Sequence, residues 1–367
     1  MLGVVCLKWD QTLFHRIDHK EYFGKVMASS NSFINNLDRT IRAQLKSRRV
    51  GYLLGAGASY LNGHGYPLAN NIWDQIKEDI PKKERKEIQE KLDMEGTEGI
   101  EHALDLLDPG GPEPTSHRTM VTTSIANLFS EIQPPTEQHS IFLRNVSRRS
   151  DNFIPIFTLN YDPLIEFAAD REKIHVVDGF TGFYKASFDP NIFDVVPSKY
   201  YIARRGRVLS GSNSILHIYK LHGSMGWFSV DDNQIRVNLN CQVEDNWRRL
   251  MIPPQYRKAT ETTTPPYSAL WTRYRAWMVH GPMQLNRLIS VGYGMMDQHV
   301  NDVIENAISR SDFTLLIFAK GLTDDVFEKW AKKNNVVIVT QNRCSHFGEQ
   351  GPGHTNLWDF DELSREV

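Results

Sequence analysis

Short apolar runs recur along this 367-residue chain, and they constrain its fold more than any other feature. Each run is rich in Ile, Val, Leu or Phe and short enough to be a buried strand. Helical patterns follow at least two of them, over 163–170 and 300–309. Because buried strands that alternate with helices are typical of an α/β domain, we predict a parallel sheet flanked by helices. The runs lie at 50–54, 153–159, 215–221, 287–292, 313–319 and 335–340.

The rest of the chain is arranged around this predicted sheet. About the first 25 residues show no clear period, and residues 1–31 are predicted to be an N-terminal arm ahead of a single domain at 32–367. Apolar residues at helical spacing predict a helix over 32–46, and successive helical patterns predict a helical insertion at about 70–150. Two further stretches, rich in Gly, Ser, Pro and aromatic residues, are predicted to be irregular insertions or a small β-rich subdomain: 180–214 and 226–266.

Composition excludes several functional classes. Lys and Arg number 42 and Asp and Glu number 44, so the formal net charge is −2, which disfavours electrostatic binding of nucleic acid or membrane. The basic cluster Arg204, Arg205 and Arg207 is short, and direct nucleic-acid contact is not expected. No apolar run reaches the roughly 18 residues that a membrane span needs, and the charged opening segment does not fit a secretory signal. We therefore expect a cytoplasmic protein.

The three cysteines, Cys6, Cys241 and Cys344, lie far apart and form no CxxC pair. A structural zinc site built from four thiolates is thereby excluded, and a disulfide framework is not expected.

The first motif that could bind a ligand is GAGAS at 55–59, directly after an apolar run. Gly55 and Gly57 lack a Cβ, so the backbone could approach an anion closely. The free N–H groups of a helix starting soon afterwards would favour a pyrophosphate. A glycine-lined turn from strand to helix, with no ligand, explains the motif as well.

The second motif, TLNYD, lies at the carboxyl end of the run at 153–159, where open α/β sheets bind their ligands. Asp162 precedes a helix that Pro163 can start, so it could be a helix cap and nothing more. Asn160 has no such role, and a polar side chain at a buried strand end needs a partner.

The third motif, KLHGS, places His222 after the run at 215–221, with Gly223 allowing a sharp turn. Histidine exchanges protons near neutrality, which suits it to acid–base catalysis. A histidine after a strand is also commonly a hydrogen-bonded structural residue. His217, five positions earlier, is the internal comparison for that structural role.

The fourth motif, VGYGMMD, ends the run at 287–292 with Gly292 and Gly294. This second glycine turn could hold the other end of a dinucleotide. Asp297 is well placed to cap the helix that begins near Gln298, and a simple cap would also account for the motif.

In this order, the four motifs resemble the sirtuin family. GAGAS and the following GYP resemble the sirtuin phosphate loop and the stretch after it, and TLNYD resembles a sirtuin strand end. KLHGS resembles the strand that carries the catalytic histidine, and VGYGMMD resembles the glycine turn beneath the adenosine. The resemblance spans about 50–342 and implies a Rossmann-like sheet that binds NAD+. It implies catalytic roles for Asn160 and His222, and NAD+ contacts for Gly55, Ala56, Gly57, Ser59, Pro67, Thr158, Asp162, Gly292 and Gly294.

One departure from the sirtuin pattern bears on the reaction. Protein-deacylating sirtuins carry a zinc ribbon of two CxxC pairs after the catalytic histidine, whereas this region contains only Cys241. The stretch after Gly223 also lacks the extended apolar pattern that would pair with an acyl-lysine peptide. The chain looks more like the bacterial sirtuin-like NAD-consuming proteins of antiphage defence, in which a domain of similar size acts beside a HerA-type hexameric ATPase.

That resemblance implies an NAD+ hydrolase that releases nicotinamide and ADP-ribose, with NAD+ as substrate and no metal. Asn160 would orient the nicotinamide ribose and an attacking water, His222 would act as base, and Asp162 would hold the carboxamide. Activity would depend on assembly as a homo-oligomer or with a partner ATPase. A zinc-free protein deacylase, an ADP-ribosyl transferase and a non-catalytic subunit that senses NAD+ or ADP-ribose are the alternatives.

Overall fold

The computed structural model describes residues 19–97, 99–107, 115–149, 151, 153–194, 200–202, 208–210, 215–239, 241–244, 246–252 and 264–367. Most of the predicted N-terminal arm, Cys6 and the basic cluster Arg204, Arg205 and Arg207 therefore lie outside the described residues.

Strands and helices alternate along much of the described chain. The strands are β1 (Val50–Leu54), β2 (Phe153–Thr158), β3 (Val176–Val177), β4 (Phe180–Thr181), β5 (Ala186–Phe188), β6 (Tyr200–Ile202), β7 (Val208–Ser210), β8 (Ile215–Lys220), β9 (Gly223–Val230), β10 (Asn233–Arg236), β11 (Arg248–Met251), β12 (Arg287–Val291), β13 (Thr314–Phe318), β14 (Val336–Val339), β15 (Arg343–His346) and β16 (Glu349–Pro352). The α-helices are α1 (His19–Leu45), α2 (Ala56–Tyr60), α3 (Ala69–Ile76), α4 (Lys82–Leu92), α5 (Gly99–Leu107), α6 (Ser116–Glu131), α7 (Glu137–Ser147), α8 (Leu164–Glu172), α9 (Tyr267–Arg275), α10 (Gln298–Ile308), α11 (Asp324–Ala331) and α12 (Phe360–Glu366). Short 3-10 helices lie at Leu61–Gly63, Lys77–Asp79 and Pro190–Phe193, and a π-helical turn lies at Ala276–His280.

A nine-stranded, mostly parallel sheet organises the described residues, in the order β16-β15-β14-β13-β12-β1-β2-β8-β3. All pairings from β14 to β3 are parallel, and β15 and β16 extend the sheet in antiparallel fashion. Helices cover both faces, so neighbouring side chains of a strand enter opposite cores. Tyr52 packs in one core and Leu53 in the other. The predicted α/β class, with a parallel sheet flanked by helices, is confirmed.

The strand order reverses at β1. From β1 the chain moves to β2 and β8 on one side, whereas β12, β13 and β14 lie on the other. Open α/β sheets bind ligands outside the carboxyl ends of the strands at such a switch point. The four sequence motifs follow β1, β2, β8 and β12, and therefore meet at this edge.

The predicted insertions are recognisable as structured parts of the fold. Helices α3 to α7 fill the predicted helical insertion. The described parts of the two irregular stretches form a five-stranded sheet, in the order β11-β9-β10-β5-β4, and the β6–β7 pair. The β-rich interpretation is therefore the correct one. No helix of the described chain is both long and apolar enough to cross a membrane.

Two details differ from the sequence expectations. Helix α1 begins at His19 rather than residue 32, and so runs through the predicted end of the arm at residue 31. Once a helix is nucleated, each added residue extends it at little cost, so it can continue beyond the amphipathic segment. The stretch after Gly223, expected to lack an extended apolar pattern, is strand β9, whose first six residues are buried. Gly and Ser residues interrupt the apolar side chains of this strand, so its sequence shows no continuous apolar run.

Candidate functional site

A cavity of about 690 Å³ lies where the carboxyl ends of β12, β1, β2 and β8 meet. It is within the size range of small-molecule sites. Nine of the eleven residues predicted for the site line it: Gly55, Ala56, Ser59, Pro67, Asn160, Asp162, His222, Gly292 and Gly294. The other two, Gly57 and Thr158, are not among the lining residues. Gly57 hydrogen-bonds Gly292, and Thr158 hydrogen-bonds Asn160.

The two glycine turns pack directly against each other. Gly292 has a φ of +64°, and a Cβ there would lie 2.3 Å from the Ala58 nitrogen. A Cβ on Gly57 would lie 2.7 Å from the Gly292 Cα, and the Gly57 N–H donates to the Gly292 carbonyl at 2.8 Å. Both glycines are therefore required by the contact between the turns, whether or not a ligand binds.

Backbone donors of the first turn are largely engaged within the protein. The N–H groups of Gly55 and Ala58 donate to the carbonyls of Val291 and Gly55, and Gly57 donates to Gly292. Helix α2 spans only Ala56–Tyr60. The expected contact of 55–59 with a pyrophosphate stays a prediction, and these three N–H groups could bind it only after exchanging their present partners.

Gly294 differs from Gly55 and Gly292, at each of which a Cβ would clash with the backbone. A Cβ on Gly294 would meet only the Met296 side chain, at 3.8 Å. Protein packing therefore does not require glycine at this position, although the residue lines the cavity.

Asn160 has the partners that its position demands. Its Nδ2 donates to the Gly55 carbonyl and to Ser59 Oγ, both at 2.9 Å. Its backbone N–H donates to Thr158 Oγ1 at 3.0 Å, which explains the threonine behind the cavity. The amide is thereby fixed between strand β2 and the first glycine turn.

Asp162 is buried at the cavity wall and is connected to Asn160 through Ser59. The Ser59 hydroxyl accepts from Asn160 and hydrogen-bonds the Asp162 carboxyl group. Asp162 Oδ1 also accepts from the Leu164 N–H at 3.1 Å, so it does cap the start of α8. Burial raises the pKa of Asp162, and the nearby Lys220 ammonium partly opposes that rise.

Lys220, which sequence reasoning missed, lies beneath this wall with only 1% of its surface exposed. Its Nζ donates to the Asp162 carbonyl at 2.5 Å and to Glu166 Oε1 at 2.8 Å. The lysine thus ties the end of β8 to the loop after β2. A lysine within a mostly apolar run was the available signal in the sequence.

His222 is 5% exposed and held by its backbone on both sides. The indole N–H of Trp271 donates to the Leu221 carbonyl at 3.2 Å, and the Ile252 N–H donates to the His222 carbonyl at 2.9 Å. The ring meets a carboxylate, because its Nε2 lies 3.2 Å from Asp297 Oδ2. Sequence spacing could not predict this contact between two distant segments.

Aromatic residues from the helical insertion and the adjoining loops form another part of the wall. Tyr66 and Phe129 lie 4.7 Å apart between ring centroids, and Phe129 lies 6.2 Å from Tyr161. All three line the cavity. Such rings offer faces on which a nicotinamide or adenine ring can stack. Because these residues lie far apart along the chain, their clustering could not be predicted from the sequence.

Metal-ligating groups do not cluster in the described part of the chain. No three His, Cys, Asp or Glu side chains there could together hold a metal ion.

Comparison with known sequence families decides the family. The model of the SIR2-like domain matches residues 155–339, half of the chain. This chain belongs to the SIR2-like domain family. The match contains Asn160, Asp162, His222, Gly292 and Gly294, whereas the first glycine turn lies before it. SIR2-like domains use NAD+, so this family membership indicates an NAD-related activity.

Solved sirtuin structures are similar to this SIR2-like chain at low identity. A Sir2 histidine-to-tyrosine mutant with a p53 peptide and NAD is 13% identical, with 92% of this chain and 96% of that chain covered and a TM-score of 0.39. Sir2Tm bound to a propionylated peptide gives the same values. A structure described as the structural basis of sirtuin substrate affinity is also 13% identical, covering 91% of this chain and 96% of that one, with a TM-score of 0.39. Comparison with curated proteins gives no significant match.

Proposed function

We propose that this SIR2-like domain hydrolyses NAD+ at the bond between nicotinamide and ribose. The bond breaks with its electron pair going to the pyridinium nitrogen, which becomes neutral nicotinamide. Water supplies the oxygen that bonds to the ribose C1′, giving ADP-ribose, and its proton goes to a base. The transition state resembles an oxocarbenium ion, as in other glycoside cleavages.

The observation that carries this proposal is the presence of Asn160 and His222 at one cavity. Because nicotinamide is already a good leaving group, the reaction needs orientation and a proton acceptor more than a strong acid. The fixed Asn160 amide suits the orienting role, and His222 suits that of the base. Removing either side chain should lower the rate about 10²–10⁴-fold.

Asp162 would hold the nicotinamide carboxamide. An amide group offers both a donor and an acceptor, and a buried carboxyl group can pair with the donor. Gly294, whose missing side chain leaves open space, would let the adenosine end approach the second glycine turn.

We further propose that the enzyme depletes NAD+ in antiviral defence and is activated by assembly. This rests on the resemblance of its motifs to the NAD-consuming proteins of antiphage defence. Uncontrolled hydrolysis would exhaust the NAD+ of the cell, so such an enzyme must stay silent until it is triggered. A homo-oligomer and a HerA-type ATPase partner are the proposed means of control.

The test is incubation of the purified protein with NAD+, alone and together with its neighbouring gene product. Nicotinamide and ADP-ribose are followed by chromatography and should appear in equal amounts. Asn160→Ala should lose this activity. Asn335→Ala is the matched control, because Asn335 Nδ2 also donates to two protein groups, the Ile308 and Phe313 carbonyls, outside the cavity lining.

Other outcomes separate the alternatives. Thermal stabilisation by ADP-ribose without nicotinamide release, in every assembly, would identify a sensing subunit. Nicotinamide release only with an acetyl-lysine peptide would identify a deacylase, and transfer of label from NAD+ to protein would identify a transferase.

A further inference from the structure

Asp297 is a single carboxylate with two separate tasks. Its Oδ1 accepts from the N–H groups of His299 and Val300, at 3.1 and 3.3 Å, and so caps α10. Its Oδ2 lies 3.2 Å from His222 Nε2, and each of the two side chains is only 6% exposed. The cap explains the first oxygen and leaves the second one directed at the histidine.

The backbone of Asp297 is fixed by its neighbours. Its N–H donates to Tyr293 Oη at 2.9 Å, while its carbonyl accepts from Tyr293 Oη at 3.1 Å and from the Asn301 N–H at 3.0 Å. The Asn301 side chain also donates to the Met295 carbonyl at 2.8 Å. With its amide, carbonyl and Oδ1 all engaged, Asp297 can move Oδ2 very little.

The backbone of His222 is constrained on the opposite side. Its own carbonyl and that of Leu221 accept from Ile252 and Trp271. The imidazole and the carboxylate are therefore presented to each other by two rigid elements, the end of β8 and the start of α10. A buried carboxylate in this position stabilises an adjacent positive charge, because little water screens the pair.

We infer that Asp297 is a positioning residue for His222, an inference that rests on the proposed role of His222 as base. The Asp297 carboxylate faces Nε2 at an ion-pair distance without a completed hydrogen bond, so its charge favours the neutral ring with the hydrogen on Nε2, and the ring then accepts a proton at Nδ1. When the attacking water gives up its proton, the imidazolium formed is balanced by the Asp297 carboxylate. The reaction consequently creates no uncompensated charge at the buried ring.

Asp297→Asn tests this inference, because Asn caps helices as well as Asp does. The variant should fold normally and bind ADP-ribose, while kcat falls about 10²–10³-fold with little change in KM. Asp359→Asn is the matched control: Asp359 caps α12 through the Asp361 N–H at 3.0 Å, is not among the cavity-lining residues, and should keep full activity. An unchanged kcat in Asp297→Asn would show that Asp297 only caps α10 and would contradict the positioning role.

A double mutant separates positioning from any independent role. If Asp297 acts only through His222, Asp297→Asn should cost almost nothing in a His222→Ala background. A further loss as large as in the wild-type background would overturn the inference.

Nitrogen NMR of His222 provides a readout that does not depend on activity. Its signals are assigned by their absence from His222→Ala, and the wild type should show hydrogen on Nε2. Hydrogen on Nδ1 in the wild type, or no change in Asp297→Asn, would contradict the inference even if NAD+ hydrolysis were confirmed. If no assembly released nicotinamide, the proposed function would fail separately from this tautomer result.

Discussion

Strand β8 contains one buried histidine, His217, and is followed by a second, His222, just beyond its carboxyl end; the surroundings of the two differ in kind. His217, 2% exposed, packs among aromatic rings, with Phe153 at 5.3 Å and Phe193 at 5.9 Å between centroids. Its Nδ1 lies 3.2 Å from Tyr219 Oη, and burial lowers its pKa to about 4. His222, 5% exposed, faces a cavity and a carboxylate instead.

The comparison shows that position on the strand separates the roles of two residues of the same type. Within the strand, His217 packs among aromatic side chains, and its burial lowers its pKa. Beyond the carboxyl end, it reaches the edge where other strand ends supply a carboxylate, an amide and glycine turns. A histidine built to exchange protons needs the second environment.

The largest expected effect distinguishes the two histidines by activity. His222→Ala should lower the proposed NAD+ hydrolysis about 10²–10⁴-fold, because it removes the proposed base. His217→Gln should keep the wild-type kcat per folded molecule, since His217 is not among the cavity-lining residues. Nicotinamide release, normalised to the folded fraction by circular dichroism, measures both. Equal losses of activity in the two variants would show that the two histidines do not differ in role.

The next effect is on stability and concerns Lys220, which lies between the two histidines along the chain. Lys220→Met should destabilise the fold by about 3 kcal/mol, because Glu166 and the Asp162 carbonyl lose a buried partner. Urea unfolding provides the measurement.

Lys329→Met is the matched control for this prediction. Lys329 pairs with Glu305 at 2.6 Å, but both side chains are more than a third exposed, so its loss should cost less than about 1 kcal/mol. A similar cost for both lysines would show that the buried contact adds nothing.

The smallest effect is a pH dependence that belongs to His217. The unfolded imidazole titrates near 6.5, whereas burial lowers the folded pKa to about 4. Between these values the unfolded state binds a proton that the folded state does not, so stability is full above pH 6.5 and is lost as the pH falls toward 4. From pH 7.5 to pH 5, His217 should contribute about 2 kcal/mol of that loss.

His217→Gln should remove this contribution in urea unfolding at the two pH values. His139, whose pKa burial lowers to about 3, acts in the same direction in both proteins and cancels from the difference. An identical pH dependence in wild type and variant would mean that the folded state leaves the pKa of His217 unchanged from that of the unfolded chain.

The sequence was sufficient for features that depend on local pattern. Every predicted apolar run contains a strand of the large sheet, from β1 to β14, because strands buried on both faces need continuous apolar residues. The helix cap at Asp297 is confirmed for the same local reason. The motifs could be assigned to one edge of the sheet because parallel strands all end on the same side.

Contacts between distant segments could not be predicted. The approach of Asp297 to His222, and of Lys220 to Glu166, depends on how helices and loops settle against the sheet. Gly57 seemed a ligand contact by pattern, but its missing side chain is explained by packing against Gly292. Local pattern cannot separate a glycine needed by a ligand from one needed by a neighbouring turn.

The most direct test of the proposed hydrolysis is NAD+ turnover by the protein alone and together with its proposed partner. We expect equal amounts of nicotinamide and ADP-ribose from the wild type, and a loss of about 10²–10⁴-fold in both His222→Ala and Asn160→Ala. Full hydrolysis by both variants, or no nicotinamide from the activated wild-type assembly, would contradict the proposed hydrolysis.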